Sequence, residues 1–401
     1  MTSSTWVPEN TTVAQLWQRQ VMERADREFL VYEDVDASEV SRFTYREFDA
    51  RVNTCANALV ARGVEAGSRV ALYLHNCVEF VECTLALAKM GAIAVPVDAT
   101  SAPCELGRII GLCEAQMLIT CVNNLGEVLS HLPDSVTDIV AVGEGIPGDE
   151  AGVDVPLLAD LRADASYSFE SNPHVDPMDT LAILFTSGTT SAPKGVVITQ
   201  ANFVFSGVFV NWELGMNPED RYMTSMVAAR VNFQLSALAP VLTVGATLIM
   251  LSRYSATRFW REAREHRATL VQGMAMIVAT LMRQPVDPDE RNHQVREIHY
   301  FLPLNAKEKE AFEQARKVSA NLSREQSFTT QSTAYSLVAM GRLAEKVSGS
   351  LQFDWTLNGK AQSKVNSARA VFQKDLPTRP TNGAATVKNN GNGLLYVSLV
   401  S

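Results

Sequence analysis

Residues 186 to 195 read Thr-Ser-Gly-Thr-Thr-Ser-Ala-Pro-Lys-Gly, and here the residue types and their spacing could do chemistry. Thr186, Ser187, Gly188, Thr189 and Thr190 follow the apolar run 181–185, so a buried strand opens into hydroxyls and a lightly encumbered backbone. Hydroxyls and N–H groups in such a turn can surround phosphate oxygens, and Lys194 adds a positive charge. Pro193 stiffens the exit, while Gly195 lets another chain segment approach closely. The order is not that of the common P-loop, in which Lys follows Gly and precedes Ser or Thr; here Pro193 precedes Lys194 and Gly195 follows it.

Other chemistry-bearing residues are less organised. His75, His131, His174, His266, His293 and His299 have no metal-ligand spacing and read as structural histidines. Asp176, Asp179, Glu213, Glu219 and Asp220 form no recognisable acid and base pair. The six cysteines (Cys55, Cys77, Cys83, Cys104, Cys113 and Cys121) match neither a zinc motif nor a disulfide framework, and are expected to be buried free thiols. Trp212, Tyr222 and Phe233 are aromatics that could face a quaternary ammonium group, although core packing is the stronger reading for each.

The elements that must position the phosphate turn alternate in type. Phe48, Val52, Cys55 and Leu59 form a helical stripe that Gly63 can end. Expected strands at 70–74, 93–97, 117–120, 139–142 and 181–185 are interspersed with helical stretches such as 78–90. After the turn, helices are expected at 201–212, 235–244, 259–266 and 274–283, with extended segments at 222–226, 246–251, 270–272 and 295–304. This alternation predicts an α/β fold with mostly parallel sheets flanked by helices and ligand sites at strand exits.

Beyond about residue 305 the style changes. Helices are expected at 307–322 and 332–347, a hairpin at 351–357 and 360–368 about Asn358-Gly359, and a second strand pair over 386–400. Charge breaks at the same place. The chain carries −9 overall, but residues 306–401 hold eight Lys and five Arg against five Glu and two Asp, while 1–305 is strongly acidic. An acidic body argues against nucleic-acid binding, and the diffuse positive balance of the tail reads as solvated surface. No stretch reaches the roughly 18 apolar residues of a membrane span, and the start Met1-Thr-Ser-Ser-Thr lacks a signal-peptide pattern, so the expected location is the cytoplasm.

The pattern Thr186-Ser-Gly-Thr-Thr-x-x-Pro-Lys-Gly195 resembles the signature of adenylate-forming enzymes, the acyl-CoA synthetase and luciferase superfamily. Phe43-Thr-Tyr-Arg-Glu-Phe48, Gly63-Val-Glu-Ala-Gly-Ser-Arg-Val-Ala71, Lys89-Met-Gly-Ala and Gly245-Ala-Thr-Leu are similar to that family's landmarks, in order, from about residue 12 to 305. Tyr254-Ser-Ala-Thr-Arg-Phe-Trp260 and Arg296-Glu-Ile-His look most like bacterial crotonobetaine/carnitine-CoA ligases. The resemblance implies the N-terminal domain of an enzyme that activates a carboxylic acid with ATP and Mg²⁺ and passes the acyl group to coenzyme A. Thr186, Ser187, Gly188, Thr189, Thr190 and Lys194 would then hold the β- and γ-phosphates.

The chain also departs from that pattern. Arg230, in Met226-Val-Ala-Ala-Arg-Val-Asn-Phe-Gln-Leu235, stands where the family places a His. The family's Tyr-Gly-x-Thr-Glu segment, expected soon after Leu304, is replaced by Asn305-Ala-Lys-Glu-Lys-Glu-Ala, and no Thr-Gly-Asp segment follows. Lys346, Lys360, Lys364, Lys374 and Lys388 lack the context of the family's catalytic lysine and read as surface residues. Each lost electrostatic group costs about 100- to 1,000-fold in rate, so essentially no ligase turnover is expected.

Residues 328–339 and 387–397 are instead similar to a helix and a strand pair of bacterial alpha-2-macroglobulin-like proteins, without the thioester Cys. The domain expectation is an incomplete ligase domain at 1–305 and an incomplete macroglobulin-like stretch at 306–401, fused near 305–316. A nucleotide- or acyl-binding remnant and a protease-interaction fragment are the rival functional expectations.

Overall fold

The computed structural model describes residues 10–145, 155–186, 193–281, 283–285, 289, 292–301, 351–357, 360–361, 364–367 and 385–390. The chain divides into two units, Met1–Leu302 and Pro303–Ser401.

Strands of the larger unit run β1 (Glu28–Asp34), β2 (Glu39–Thr44), β3 (Arg69–Leu74), β4 (Ile93–Asp98), β5 (Met117–Cys121) and β6 (Asp138–Val142). They continue as β7 (Thr180–Thr186), β8 (Lys194–Thr199), β9 (Arg221–Thr224), β10 (Thr247–Leu251), β11 (Leu270–Met274) and β12 (Glu297–Phe301). Two six-stranded sheets result, one ordered β6-β5-β3-β4-β7-β8 and the other β12-β11-β9-β10-β1-β2. Pairing is parallel as expected, except for the antiparallel pairs β1–β2 and β7–β8.

Helix starts follow the sequence closely. Thr12 with Gln15, Thr44 with Glu47 and Thr199 with Asn202 form reciprocal caps before the helices Val13–Arg24, Tyr45–Ala61 and Gln200–Leu214. The stripe Phe48, Val52, Cys55 and Leu59 is wholly buried, and Trp17, Phe29 and Tyr45 join Phe48 in an aromatic cluster. Val78–Met90, buried nearly all round, ends at Gly91 in the left-handed conformation. A Cβ there would also meet Val175 at 2.7 Å, so the position needs glycine twice over.

Asn76, just beyond β3, ties the two sheets together at their strand exits. Its Nδ2 donates to the carbonyls of Met226 (2.9 Å) and Leu251 (3.0 Å), and its Oδ1 accepts from the Ala228 N–H (2.7 Å). All three bonds are buried, so one side chain pairs backbone groups that follow β9 and end β10.

A second buried polar group lies in the other sheet. Arg42 can only donate, so its contact with Nδ1 of His266 (3.2 Å) puts the ring proton on Nε2, which donates to Glu33 (2.5 Å). Arg258 also donates to Glu33 (2.5 Å) and lies 3.1 Å from Glu262 without hydrogen-bond geometry. Burial, reinforced by the charge of Glu33, pushes the Glu262 carboxyl up to about 7 against the pull of Arg258.

The folded state therefore holds a proton that the unfolded chain releases above its ordinary value of 4.5. Stability contributed here is present below that value and is lost as pH rises toward 7. At 1.36 kcal/mol per unit the loss is about 3 kcal/mol. Glu262→Gln is expected to flatten that slope and leave the protein more stable than wild type at pH 8 in urea denaturation.

The smaller unit contains β13 (Leu351–Leu357), β14 (Lys360–Ala361), β15 (Val365–Ser367) and β16 (Ala385–Asn389), with β13 paired antiparallel to the other three. Of the hairpin expected at 351–368, β13 and the described parts of the second arm, β14 and β15, are present, and the register against β13 steps by one residue between β14 and β15. The helices expected at 307–322 and 332–347, the turn Asn358-Gly359 and most of the last strand pair lie outside the described residues.

Candidate functional site

At the edge of its sheet, β7 and β8 bring the two ends of the phosphate motif together. Thr186 ends β7 and Lys194 opens β8, and the two are antiparallel register partners. The intervening Ser187, Gly188, Thr189 and Thr190 lie outside the described residues. Lys194 is exposed, and among the described residues it has no ion-pair partner. Its ammonium is thus available to an anion at the mouth of this hairpin.

Gly195 faces Phe185 across the ladder, where a Cβ would lie 3.1 Å from the ring and 2.9 Å from Ile183. The absent side chain lets the Phe185 ring lie against the edge strand. That ring also lines a shallow, solvent-open cleft whose enclosed volume is only about 20 Å³, shared with Pro96, Asp98, Ser101, Glu105 and Arg230. The cleft opens where β4 ends, at strand exits as the α/β reading predicts.

Asp98 closes β4 and organises the turn after it. Its Oδ1 accepts from the Thr100 N–H (3.0 Å) and hydroxyl (2.7 Å), while Oδ2 accepts from Nη2 (3.0 Å) and Nε (3.2 Å) of Arg230. Burial pushes this carboxyl up, but the Thr100 donors and Arg230 outweigh it and hold the group below its ordinary value. Arg230, the residue in place of the expected His, is therefore fixed at the rim by an ionised partner. Sequence reasoning singled out Arg230 and missed Asp98; the only local signal was Asp98-Ala-Thr100 directly after an apolar strand, the pattern of an Asx turn.

The remaining candidates are dispersed. Tyr222 is buried and its hydroxyl meets Nδ1 of His299 at 2.6 Å; Phe233 is buried against Phe80; Trp212 is 71% exposed. They do not form the aromatic group that a quaternary ammonium would need. Burial pushes the His299 ring down to about 4, so it is neutral in the core. Asp220 pairs with Arg296 (2.6 Å), Glu219 pairs with Arg27, and Asp176 and Asp179 hold turns. His293 stacks on Trp260. Cys104 is exposed, against the expectation of burial, because it lies on the outer side of the helix Pro103–Cys113; the other five are buried or half-buried free thiols.

No group of three His, Cys, Asp or Glu side chains suited to a metal ion stands among the described residues, and no step is assigned to Mg²⁺. No helix among them is long and apolar enough to cross a membrane.

Comparison with known proteins places these features in a wider set. The chain matches the family described as AMP-binding enzyme over residues 17–340, continuing beyond the boundary at 305 drawn from sequence. Crotonobetaine/carnitine--CoA ligases of Salmonella choleraesuis and Salmonella typhimurium are 36% and 35% identical to it over 301 residues. These alignments cover 74% of this chain and 57% of each relative, so the chain spans less than two thirds of their length.

Among solved structures, an anthranilate CoA ligase in complex with anthranoyl-AMP superposes with a TM-score of 0.65 at 22% identity, covering 74% of this chain and 56% of that one. ATP-bound MatB from Rhodopseudomonas palustris gives 0.61 at 22% identity, covering 77% of this chain and 58% of that one. At such identities the likeness concerns the fold.

Proposed function

The chain belongs to the AMP-binding enzyme family, and on that premise we propose that its larger unit is the nucleotide- and acid-holding part of an AMP-forming acid–CoA ligase. In the proposed reaction a carboxylate oxygen attacks the α-phosphorus of ATP and pyrophosphate leaves. The acyl group of the resulting adenylate then passes to the thiol of coenzyme A, releasing AMP. Little covalent work falls to such a protein, which acts by positioning and by neutralising charge.

One observation carries the reading: the β7–β8 hairpin sets Thr186 opposite an exposed Lys194 that has no ion-pair partner among the described residues, directly beside the cleft at the end of β4. The hairpin is the proposed triphosphate site and the cleft the proposed acid site. For the acid, the carnitine and crotonobetaine type is supported by the curated relatives and by the segments 254–260 and 296–299. Coenzyme A as co-substrate and a cytoplasmic location belong to the same proposal.

Residues 305–401 contain no Tyr-Gly-x-Thr-Glu and no Thr-Gly-Asp segment, so the 401-residue chain is proposed to bind nucleotide without turning it over. The division into a ligase part at 1–305 and a macroglobulin-like part at 306–401 is kept as a proposal that rests on the sequence likeness at 328–339 and 387–397, and the family match to residue 340 overlaps the second part. The test is calorimetric ATP titration alongside ATP–pyrophosphate exchange with carnitine, crotonobetaine and short acids. Micromolar to millimolar ATP binding without exchange is expected; no ATP binding by folded protein would refute the nucleotide site, and exchange above background would refute the inactivity.

A further inference from the structure

The acid cleft carries more charge than an aliphatic carboxylate requires. Asp98 and Glu105 both line it, against the single guanidinium of Arg230. Asp98 engages only Nε and Nη2 of that guanidinium, through one oxygen. Among the described residues Nη1 has no hydrogen-bond partner, and the Glu105 carboxylate, unlike its backbone N–H, has neither a hydrogen bond nor an ion pair. The cleft therefore presents an unused donor and an unused carboxylate around an internal ion pair, with the Phe185 ring as an apolar wall.

These charges discriminate between ligands. A plain monocarboxylate that reaches Arg230 must share the guanidinium with Asp98 and sit near a second negative group, Glu105. Nothing it brings offsets either repulsion. A zwitterion presents its carboxylate to Arg230 and its cation to Asp98 and Glu105, so each ion in the cleft keeps a partner of opposite sign. An aromatic face beside a pair of carboxylates also suits a quaternary ammonium, which cannot donate hydrogen bonds and relies on charge and on the ring quadrupole. Selection then comes from the repulsive arm as much as from the attractive one.

We infer that Asp98, Glu105 and Arg230 form a charge filter that admits zwitterionic acids and disfavours simple carboxylates, with Phe185 as the wall against the cationic head. The inference rests on the acid-activating reading, since only there is the cleft an acid site.

The test titrates the full chain with crotonobetaine and with crotonate, the same acid without the trimethylammonium group, by calorimetry. Wild type is expected to bind crotonobetaine roughly tenfold or more tightly than crotonate, the effect of one or two charge-assisted contacts. Asp98→Asn and Glu105→Gln should each shrink that ratio mainly by weakening crotonobetaine, whereas Arg230→Gln should weaken both ligands. Glu105 lies outside the ion pair, so its variant remains informative if Asp98→Asn fails to fold.

Equal affinity of wild type for the two acids, a ratio that survives both carboxylate substitutions, or no binding of either acid would overturn the inference. ATP titration of the same wild-type sample separates the two levels of argument. Normal ATP binding with any of those results removes the charge filter alone, while absent ATP binding removes the nucleotide-site reading beneath it.

Discussion

Lys194→Ala is expected to weaken ATP binding by the 401-residue chain roughly 10- to 100-fold, the cost of one or two charge-assisted hydrogen bonds to phosphate. The ammonium stands at the first residue of β8, opposite Thr186, and among the described residues no carboxylate competes for it. Its removal therefore costs the folded protein little while taking a cation away from the mouth of the hairpin. Lys194→Arg is expected to recover only part of the loss, because a planar fork does not reproduce a compact point charge. Titration with ATP and with AMP checks the assignment: the loss should be large for the triphosphate and small for AMP. Equal losses for both would place Lys194 elsewhere than at the β- and γ-phosphates.

The second large effect is on stability. Asn76→Ala should destabilise the larger unit by about 3 kcal/mol, since it leaves one buried N–H and two buried carbonyls without their partner at about 1 kcal/mol or more each. Asn76→Asp should lose the two donated bonds and add an unpaired negative charge, and is expected to be no better than alanine. Urea denaturation followed by tryptophan fluorescence measures both. Because the bonded carbonyl of Met226 and N–H of Ala228 lie shortly before Arg230, the variant should also broaden ligand response in the cleft before global unfolding. A loss below 1 kcal/mol would mean that the two sheets are held at this end by packing alone.

Much of the larger unit could be read in advance, for identifiable reasons. The strands β3, β4 and β5 are short apolar runs bounded by helical stretches, and each falls within a residue or two of its expected place. Parallel strands buried on both faces leave that kind of run. The helix Val78–Met90 was equally plain because Gly91 stops it.

The hairpin β1–β2 escaped notice, since its burial is uneven and β2 is largely exposed. The strand β8 was hidden as well: it begins at the lysine of the phosphate motif, and its first four residues face solvent. Most of all, nothing local assigns a strand to one sheet or the other. Leu30 pairs with Leu248, and Ala94 with Ala182, through contacts that depend on the whole unit.

The site was legible to a different degree. The proposed phosphate motif stands out by residue type and order, and Arg230 by contrast with the expected His, while Ser187 to Thr190 lie outside the described residues. Asp98 did not, because its role comes from a contact 132 residues away in sequence. Asn76 was silent for the same reason, its three partners lying 150 residues or more beyond it.

The place of β1 in its sheet has a consequence for biosynthesis. Its neighbour on one side, β2, follows at once, but its neighbour on the other, β10, comes only at Thr247–Leu251. At 5–20 residues per second a ribosome needs on the order of 10–40 s to make the roughly 200 residues between them. For that interval Phe29, Leu30 and Val31, all buried in the finished fold, belong to an open ladder on the nascent chain. Translation speed and chaperone occupancy over this window should therefore govern the yield of native protein more than the final stability does, and slowing elongation without a chaperone should favour strand-mediated association.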